Sequence, residues 1–286
     1  VHSVVNRLVH PTDGDILVPA HTVSIIGTTD SPVDDPDDTT VPADEVQQML
    51  DAGEHMIPGF RDNRVVRAWA GSRPLIKDPR VAAGDTRHMS RGMAIIDHSG
   101  ADGLEGMLTI GGGKLTTYRL MAEHIVDAMC EQLGDERPCR TADEPIPDEH
   151  PALHKVTDRL AQRETERMDE RALCECEFVS EEAFLAELDE QPEANLDDLR
   201  RQLRIGMGPC QGGFCMARAA GLACSSPHAD AARASTLLQD FAARRWKGVE
   251  PIMLGDQVRQ MALDEWLLVG TLDIEHLPTD SQEVAQ

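Results

Sequence analysis

Lysine is nearly missing from this chain of 286 residues, which has four: Lys77, Lys114, Lys155 and Lys247. Arginine therefore carries almost all of the positive charge. Aspartate and glutamate number 29 and 22, and the formal net charge is -24. A surface so acidic repels phosphate backbones, which excludes nucleic acid as a partner. It also predicts a halophilic setting, because molar salt screens the repulsion among clustered carboxylates such as those of Asp34-Asp35-Pro36-Asp37-Asp38. Long apolar runs are missing too, and no stretch reaches the roughly 18 consecutive apolar residues of a spanning helix. No G-x-G-x-x-G occurs, so no dinucleotide fingerprint is present. Val1-His2-Ser3 opens onto a strand-like run without a secretory pattern. The seven cysteines, an odd number in a long chain, argue against a disulfide framework and for the cytoplasm.

Four of those cysteines stand in two close pairs, Cys174-x-Cys176 and Cys210-xxxx-Cys215, separated by 33 residues. The second pair lies in Gly206-Met207-Gly208-Pro209-Cys210-Gln211-Gly212-Gly213-Phe214-Cys215. Paired thiolates on turns suit a metal or an iron–sulfur centre, and bare glycines let backbone N–H groups turn toward its negative charge. C-x-C is tight for tetrahedral zinc, which usually takes C-x2-4-C pairs. A [2Fe–2S] cluster tolerates varied spacings and accepts N–H bonds at its sulfurs, so the spacing favours iron–sulfur over zinc. Four unrelated buried thiols would leave the glycines unexplained.

Short β segments are expected at 1–9, 15–18 and 22–27, at 64–70, and again at 91–97 and 106–110. A helix with Val46, Met49 and Leu50 on one face follows Pro42. Another, with Met121, Ile125, Met129 and Leu133, opens after Gly111-Gly112-Gly113-Lys114. A proline-rich linker and a charged helix fill 135–171. In the cysteine module, 172–228, Ser180 and Asn195 are expected to cap helices. A helical segment, 229–286, closes the chain with Phe241, Trp246 and Trp266.

The strand–GGGK–helix unit resembles an anion-binding turn, since a helix start with bare glycines presents N–H groups and a positive dipole. It is not a Walker A loop: Leu108 replaces the first glycine and Leu115 follows the lysine. A tight structural turn explains GGGK equally well. Arg73, Arg91 and Lys114 could converge on a phosphate, although spacing alone reads more simply as unrelated surface ion pairs. Arg200, Arg201 and Arg204 could offset a cluster's negative charge, face an electron-transfer partner, or form a solvated helix face.

These pieces stand together in one family. In order, Val5-Asn6-Arg7, Asp15-Ile16-Leu17-Val18-Pro19, Ile26-Gly27-Thr28-Thr29, Ala70-Gly71-Ser72-Arg73-Pro74-Leu75, Ser90-Arg91 and Thr109-Ile110-Gly111-Gly112-Gly113-Lys114-Leu115-Thr116-Thr117-Tyr118-Arg119 resemble the FAD-dependent glycerol-3-phosphate dehydrogenases. The cysteine module and the tail Arg245-Trp246-Lys247-Gly248-Val249-Glu250-Pro251-Ile252 narrow the likeness to the anaerobic enzymes. Within those it is similar to the subunit whose C-terminal part resembles bacterioferritin-associated ferredoxin. Two departures stand out. The Rossmann-type half that begins the family is absent, so the chain reads as a C-terminal portion. The ferredoxins often close with C-x-x-C, whereas four residues separate Cys210 from Cys215.

The resemblance implies a mixed α/β (α+β) fold. Residues 1–134 would be the C-terminal part of a D-amino-acid-oxidase-like FAD and substrate domain, followed by the 135–171 linker, the 172–228 [2Fe–2S] domain and the 229–286 helical tail. It implies FAD, contacted by Gly112, Gly113, Lys114, Leu115 and Thr116. The phosphate of glycerol 3-phosphate would lie on Arg73, Arg91 and Lys114, and Cys174, Cys176, Cys210 and Cys215 would ligate the [2Fe–2S] cluster. Electrons would pass to partner subunits at the inner face of the cell membrane and on to quinone. His98 is a candidate base, and a hydrogen-bonded structural histidine is its plain alternative. Two other readings compete. A flavin-dependent dehydrogenase for opines or amino acids would need a carboxylate clamp and no phosphate trio. A non-catalytic electron-transfer piece would work only beside a separate FAD-binding chain.

Overall fold

Alternating apolar residues drive the strands of this chain into small antiparallel sheets. The computed structural model describes residues 1–7, 16–73, 76, 92–146, 156–166 and 170–279. Strands β1 (Val5–Asn6), β2 (Ile16–Ala20) and β3 (Val23–Gly27) form one sheet in the order β1-β2-β3. Leu17 pairs with Ile26 and Val18 with Ile25 across its hairpin. The hairpin turns at His21 and Thr22, with His21 in the left-handed region at φ 57. Helix α1 (Ala43–Met56) follows, starting after Pro42 and burying Val46 and Leu50 as expected.

Strand β4 (Met93–Asp97) runs into a one-turn helix, α2 (His98–Ala101), and pairs with β5 (Leu108–Gly112), so that Ile95 faces Ile110. The next helix, α3 (Tyr118–Leu133), begins later than the GGGK pattern suggests. Gly112 and Gly113 both take positive φ, 76° and 73°, which swings the chain out of the strand before a 3-10 turn at Leu115–Thr117. Residues 64–70, expected as a strand, pair with no other strand among the described residues. Their bond runs to a helix end instead, with Ala68 N–H donating to Gly248 O at 2.8 Å.

Helix α4 (Val156–Glu166) precedes the cysteine module. There β6 (Ala172–Cys174) and β7 (Val179–Ser180) make a small bulged hairpin. Ser180 Oγ caps α5 (Glu181–Glu190) by accepting from Ala183 N–H, and Asn195 caps α6 (Leu196–Leu203) by accepting from Asp197 and Asp198 N–H. Helices α7 (Cys215–Cys224), α8 (Ala231–Val249) and α9 (Asp256–Glu265) complete the module and its tail. A π-helical turn, Trp266–Thr271, follows α9.

Two compact units interleave along the chain. One comprises Val1–Thr29, Thr40–Ala70 and Ala152–Gln286; the other comprises Asp30–Thr39 and Gly71–Pro151. The first holds a core of Leu173, Phe184, Leu188, Leu199, Met216, Leu237 and Phe241, among others, and a second cluster of Val46, Leu50, Val249 and Ile252. Mixed helices and small sheets make up the α/β architecture that the sequence led one to expect.

Candidate functional site

In the first unit the β6–β7 hairpin and the loop before α7 bring four thiols together. Cys174 ends β6, Cys176 sits in the hairpin turn, Cys210 lies in the glycine-rich loop and Cys215 opens α7. Phe178, at φ 53, lets the hairpin close so tightly. Cys174 and Cys215 are both about 1% exposed. Cys174 interacts electrostatically with Cys215, and Cys176 with Cys210. The backbone amides of Gly206, Glu177 and Cys176 favour the Cys174 thiolate, and that of Cys210 favours the Cys176 thiolate. Position 208 must be glycine, because a Cβ there would lie 2.3 Å from Cys176 Cβ.

The charges follow from this crowding. The interaction with Cys215, joined by the three backbone amides, holds the Cys174 thiol down at about 6. The Cys215 thiol is pushed up by the same pairing with Cys174, by burial and by the neighbouring sulfurs. Burial, then Cys210 and Cys174, raise Cys176 to about 11. The sulfurs thus form two interacting pairs, Cys174 with Cys215 and Cys176 with Cys210. Among the described residues no three His, Cys, Asp or Glu side chains gather in a set that could hold a metal ion.

Two charged partners of this site were not legible as such in the sequence. Glu177, 0% exposed, accepts from Thr22 Oγ1 at 3.2 Å and from Arg204 Nε at 3.1 Å. The β2–β3 turn therefore packs on the cysteine module, and Arg204 serves a buried carboxylate rather than solvent. Arg218 on α7 grips Glu175, between the first two cysteines, with bonds of 2.8 and 2.7 Å. Its positive charge favours the Cys215 thiolate. A glutamate on either side of Cys176 was the only sequence signal for both. Arg200 and Arg201 both turn to Asp197, Arg200 at 2.8 Å.

The remaining candidates lie in the second unit. Arg73 pairs with Asp30 at 3.0 Å. Arg91 lies outside the described residues, so the trio with Lys114 is not assembled here. Lys114 and Thr116 are exposed, Leu115 is 89% exposed, and Lys114 N–H donates to Thr117 Oγ1 at 3.0 Å. Side chains are sterically barred from the preceding turn. A Cβ on Gly112 would meet Gly92 O at 2.4 Å, and one on Gly113 would meet Met121 Sδ at 2.3 Å. His98 uses both ring nitrogens: Nδ1 contacts Asp102 Oδ2 at 2.5 Å and Nε2 contacts Thr109 Oγ1 at 2.8 Å. Both ring nitrogens are thus engaged by side chains of the same unit. Neither described cavity, at Arg119–Pro145 or at Pro227–Arg233, is lined by these residues.

Residues 2–128 match the family of FAD dependent oxidoreductases, and the chain is similar over nearly its whole length to curated anaerobic glycerol-3-phosphate dehydrogenase A subunits. It is 38% identical to such a subunit of Haemophilus influenzae, over 98% of this chain and 53% of that protein. For the corresponding subunit of Escherichia coli K12 the identity is 40%, over 97% of this chain and 55% of that protein. For the one from Haloferax volcanii it is 37%, over 97% of this chain and 50% of that protein. The chain thus spans about half the length of these curated relatives. No solved structure matches it. The resemblance drawn from the motifs is borne out.

Proposed function

We propose that this chain is the substrate- and cluster-bearing part of an FAD-dependent dehydrogenase that oxidises sn-glycerol 3-phosphate to dihydroxyacetone phosphate. A [2Fe–2S] centre held by Cys174, Cys176, Cys210 and Cys215 would supply electron transfer toward partner subunits and quinone at the inner face of the cell membrane. The observation that carries this reading is a likeness to dehydrogenase subunits that spans 97–98% of the chain, from the FAD-oxidoreductase match through the cysteine module. Among the described residues no helix is long and apolar enough to cross a membrane.

The residues present fit both cofactors. Four cysteines in two interacting pairs, with backbone amides that favour their thiolates, have the donor chemistry of a cluster that takes two thiolates per iron. The Gly112–Gly113 turn packs on Gly92 O and Met121 Sδ and leaves Lys114, Leu115 and Thr116 exposed, where a planar ring system could meet them. When bound, FAD supplies the hydride acceptor and the cluster supplies one-electron transfer. Gly112, Gly113, Lys114, Leu115 and Thr116 hold the flavin end. Arg73, Arg91 and Lys114 hold the substrate phosphate and so fix C2 in place. His98 Nε2 takes the proton of the C2 hydroxyl as the carbonyl forms, with Asp102 holding the ring.

The test joins this chain to a dinucleotide-binding half and measures product and acceptor reduction together. Glycerol 3-phosphate should yield dihydroxyacetone phosphate with stoichiometric dye reduction. Arg73→Lys should raise KM more than it lowers kcat, because charge stays while bidentate geometry is lost. Turnover of opines or amino acids with none of glycerol 3-phosphate would overturn the assignment.

A further inference from the structure

The four-thiol site rests on a buried support supplied by the C-terminal helices. Three successive carbonyls of the Cys210 loop are each bonded by an arginine. Arg64 Nη2 donates to Pro209 O at 2.7 Å, Arg245 Nη2 to Cys210 O at 3.3 Å, and Arg245 Nε to Gln211 O at 2.8 Å. Arg245, on α8, is 3% exposed, and Asp264, on α9, is 1% exposed. The two pair at 2.5 Å, and Gln260 Nε2 donates to the other Asp264 oxygen at 3.1 Å. A buried pair of this kind adds little net stability over apolar residues of the same volume. Its geometry is the more informative property.

The segment it grips is conformationally demanding. Gln211 has φ 49, a left-handed conformation that disfavours any residue with a Cβ. Its side-chain Oε1 is buried and has no partner among the described residues. Carbonyl and N–H point in opposite directions across a trans peptide. Drawing the Gln211 carbonyl to Arg245 therefore turns the Gly212 N–H away from the guanidinium, and the Cys210 peptide is fixed by the same group.

We propose that Arg245, balanced by Asp264, is a positioning residue for the cluster: it orients the 210–212 backbone and so sets Cys210 against Cys215. This inference rests on the cluster reading above. The test uses the full chain, reconstituted anaerobically with iron and sulfide, as wild type, Arg245→Lys, Asp264→Asn and Arg233→Gln. Arg233 is the control. It sits in the first turn of α8 and bonds His228 O at 2.7 Å and Pro192 O.

Wild type and Arg233→Gln should share one reduced-state paramagnetic spectrum and one rate of iron loss to a chelator. Arg245→Lys keeps the charge but cannot span both carbonyls, so it should lose iron about tenfold faster and show an altered spectrum. Asp264→Asn leaves the guanidinium charge unbalanced and should raise the reduction midpoint, which keeps the proposal testable if Arg245→Lys fails to fold. The inference is overturned if both variants match a loaded wild type in spectrum, iron loss and midpoint. It is overturned equally if Arg233→Gln accelerates iron loss as much as Arg245→Lys. A wild type that takes up neither iron nor sulfide would instead bring down the cluster reading, and this inference with it.

Discussion

The cysteine module and the hairpin–helix region around Gly111–Lys114 hold their candidate groups by opposite means. Around the cysteines, Leu173, Phe184, Leu199, Ile205 and Met216 are almost completely buried, and the buried charged groups Glu177 and Arg245 have bonded partners. In the other region no hydrophobic residue of β4, β5 or α3 is fully buried among the described residues, and Ile96, Leu120, Met129 and Leu133 are exposed. Burial supplies most of the rigidity of a site. The thiols are therefore positioned by their own unit. The Gly112–Thr116 turn has no comparable burial of its own among the described residues.

The largest effect that could break this comparison comes from the sulfurs. Cys215→Ser or Cys210→Ser should abolish uptake of iron and sulfide by the reconstituted chain, because a cluster on four thiolates cannot spare one. Cys130→Ser on α3 and Cys224→Ser at the exposed end of α7 should leave uptake unchanged. Equal loss on replacing Cys130 would mean that the four-thiol site is not the one that binds.

Packing gives the next largest contrast. Phe184 is 0% exposed, so Phe184→Ala should cost about 3–5 kcal/mol in urea unfolding, through lost burial and the cavity left behind. Leu120→Ala on α3 should change stability by only about 0.5 kcal/mol. Amide exchange should show the same order, with α5 and α7 protected well beyond α3. Comparable costs for the two substitutions would erase the distinction between a well-buried and a poorly buried region.

What could be read from the sequence was what is settled locally. Ser180 and Asn195 cap their helices because a cap needs only its own next three residues. The thiol pairs were legible because spacing and glycines constrain the chemistry directly. The start of α3 was misjudged, since two positive-φ glycines end a strand as readily as they open a helix. Residues 64–70 read as a strand from their β-branched residues, yet their backbone partner is Gly248, far along the chain. Thr22, Glu177, Arg245 and Asp264 escaped notice for the same reason. Each acts on the cysteines through a partner distant in sequence, and no local pattern marks such a pair.

The smallest expected effect sharpens the comparison from the electrostatic side. In a chain this acidic, Asp197 gathers Arg200 at 2.8 Å, Arg244 at 3.4 Å and Arg201 around one nearly buried carboxylate. Burial alone would raise its pKa. The bond from Arg200 and the charges of Arg200, Arg201 and Arg244 outweigh that and hold it below the usual value. A carboxyl lowered in the folded state contributes stability above its unfolded pKa, and that contribution is lost as pH falls through the folded value. Asp197→Asn should therefore lower stability by about 1 kcal/mol at pH 7. The gap to wild type should close as the solution is acidified below about pH 4, where the unfolded carboxyl begins to take up its proton. A gap that stays constant down to pH 2, a value chosen as roughly two units below the unfolded pKa, would show that Asp197 acts through shape or helix capping rather than through its charge. The arginines around it would then owe their positions to α6 and α8 alone.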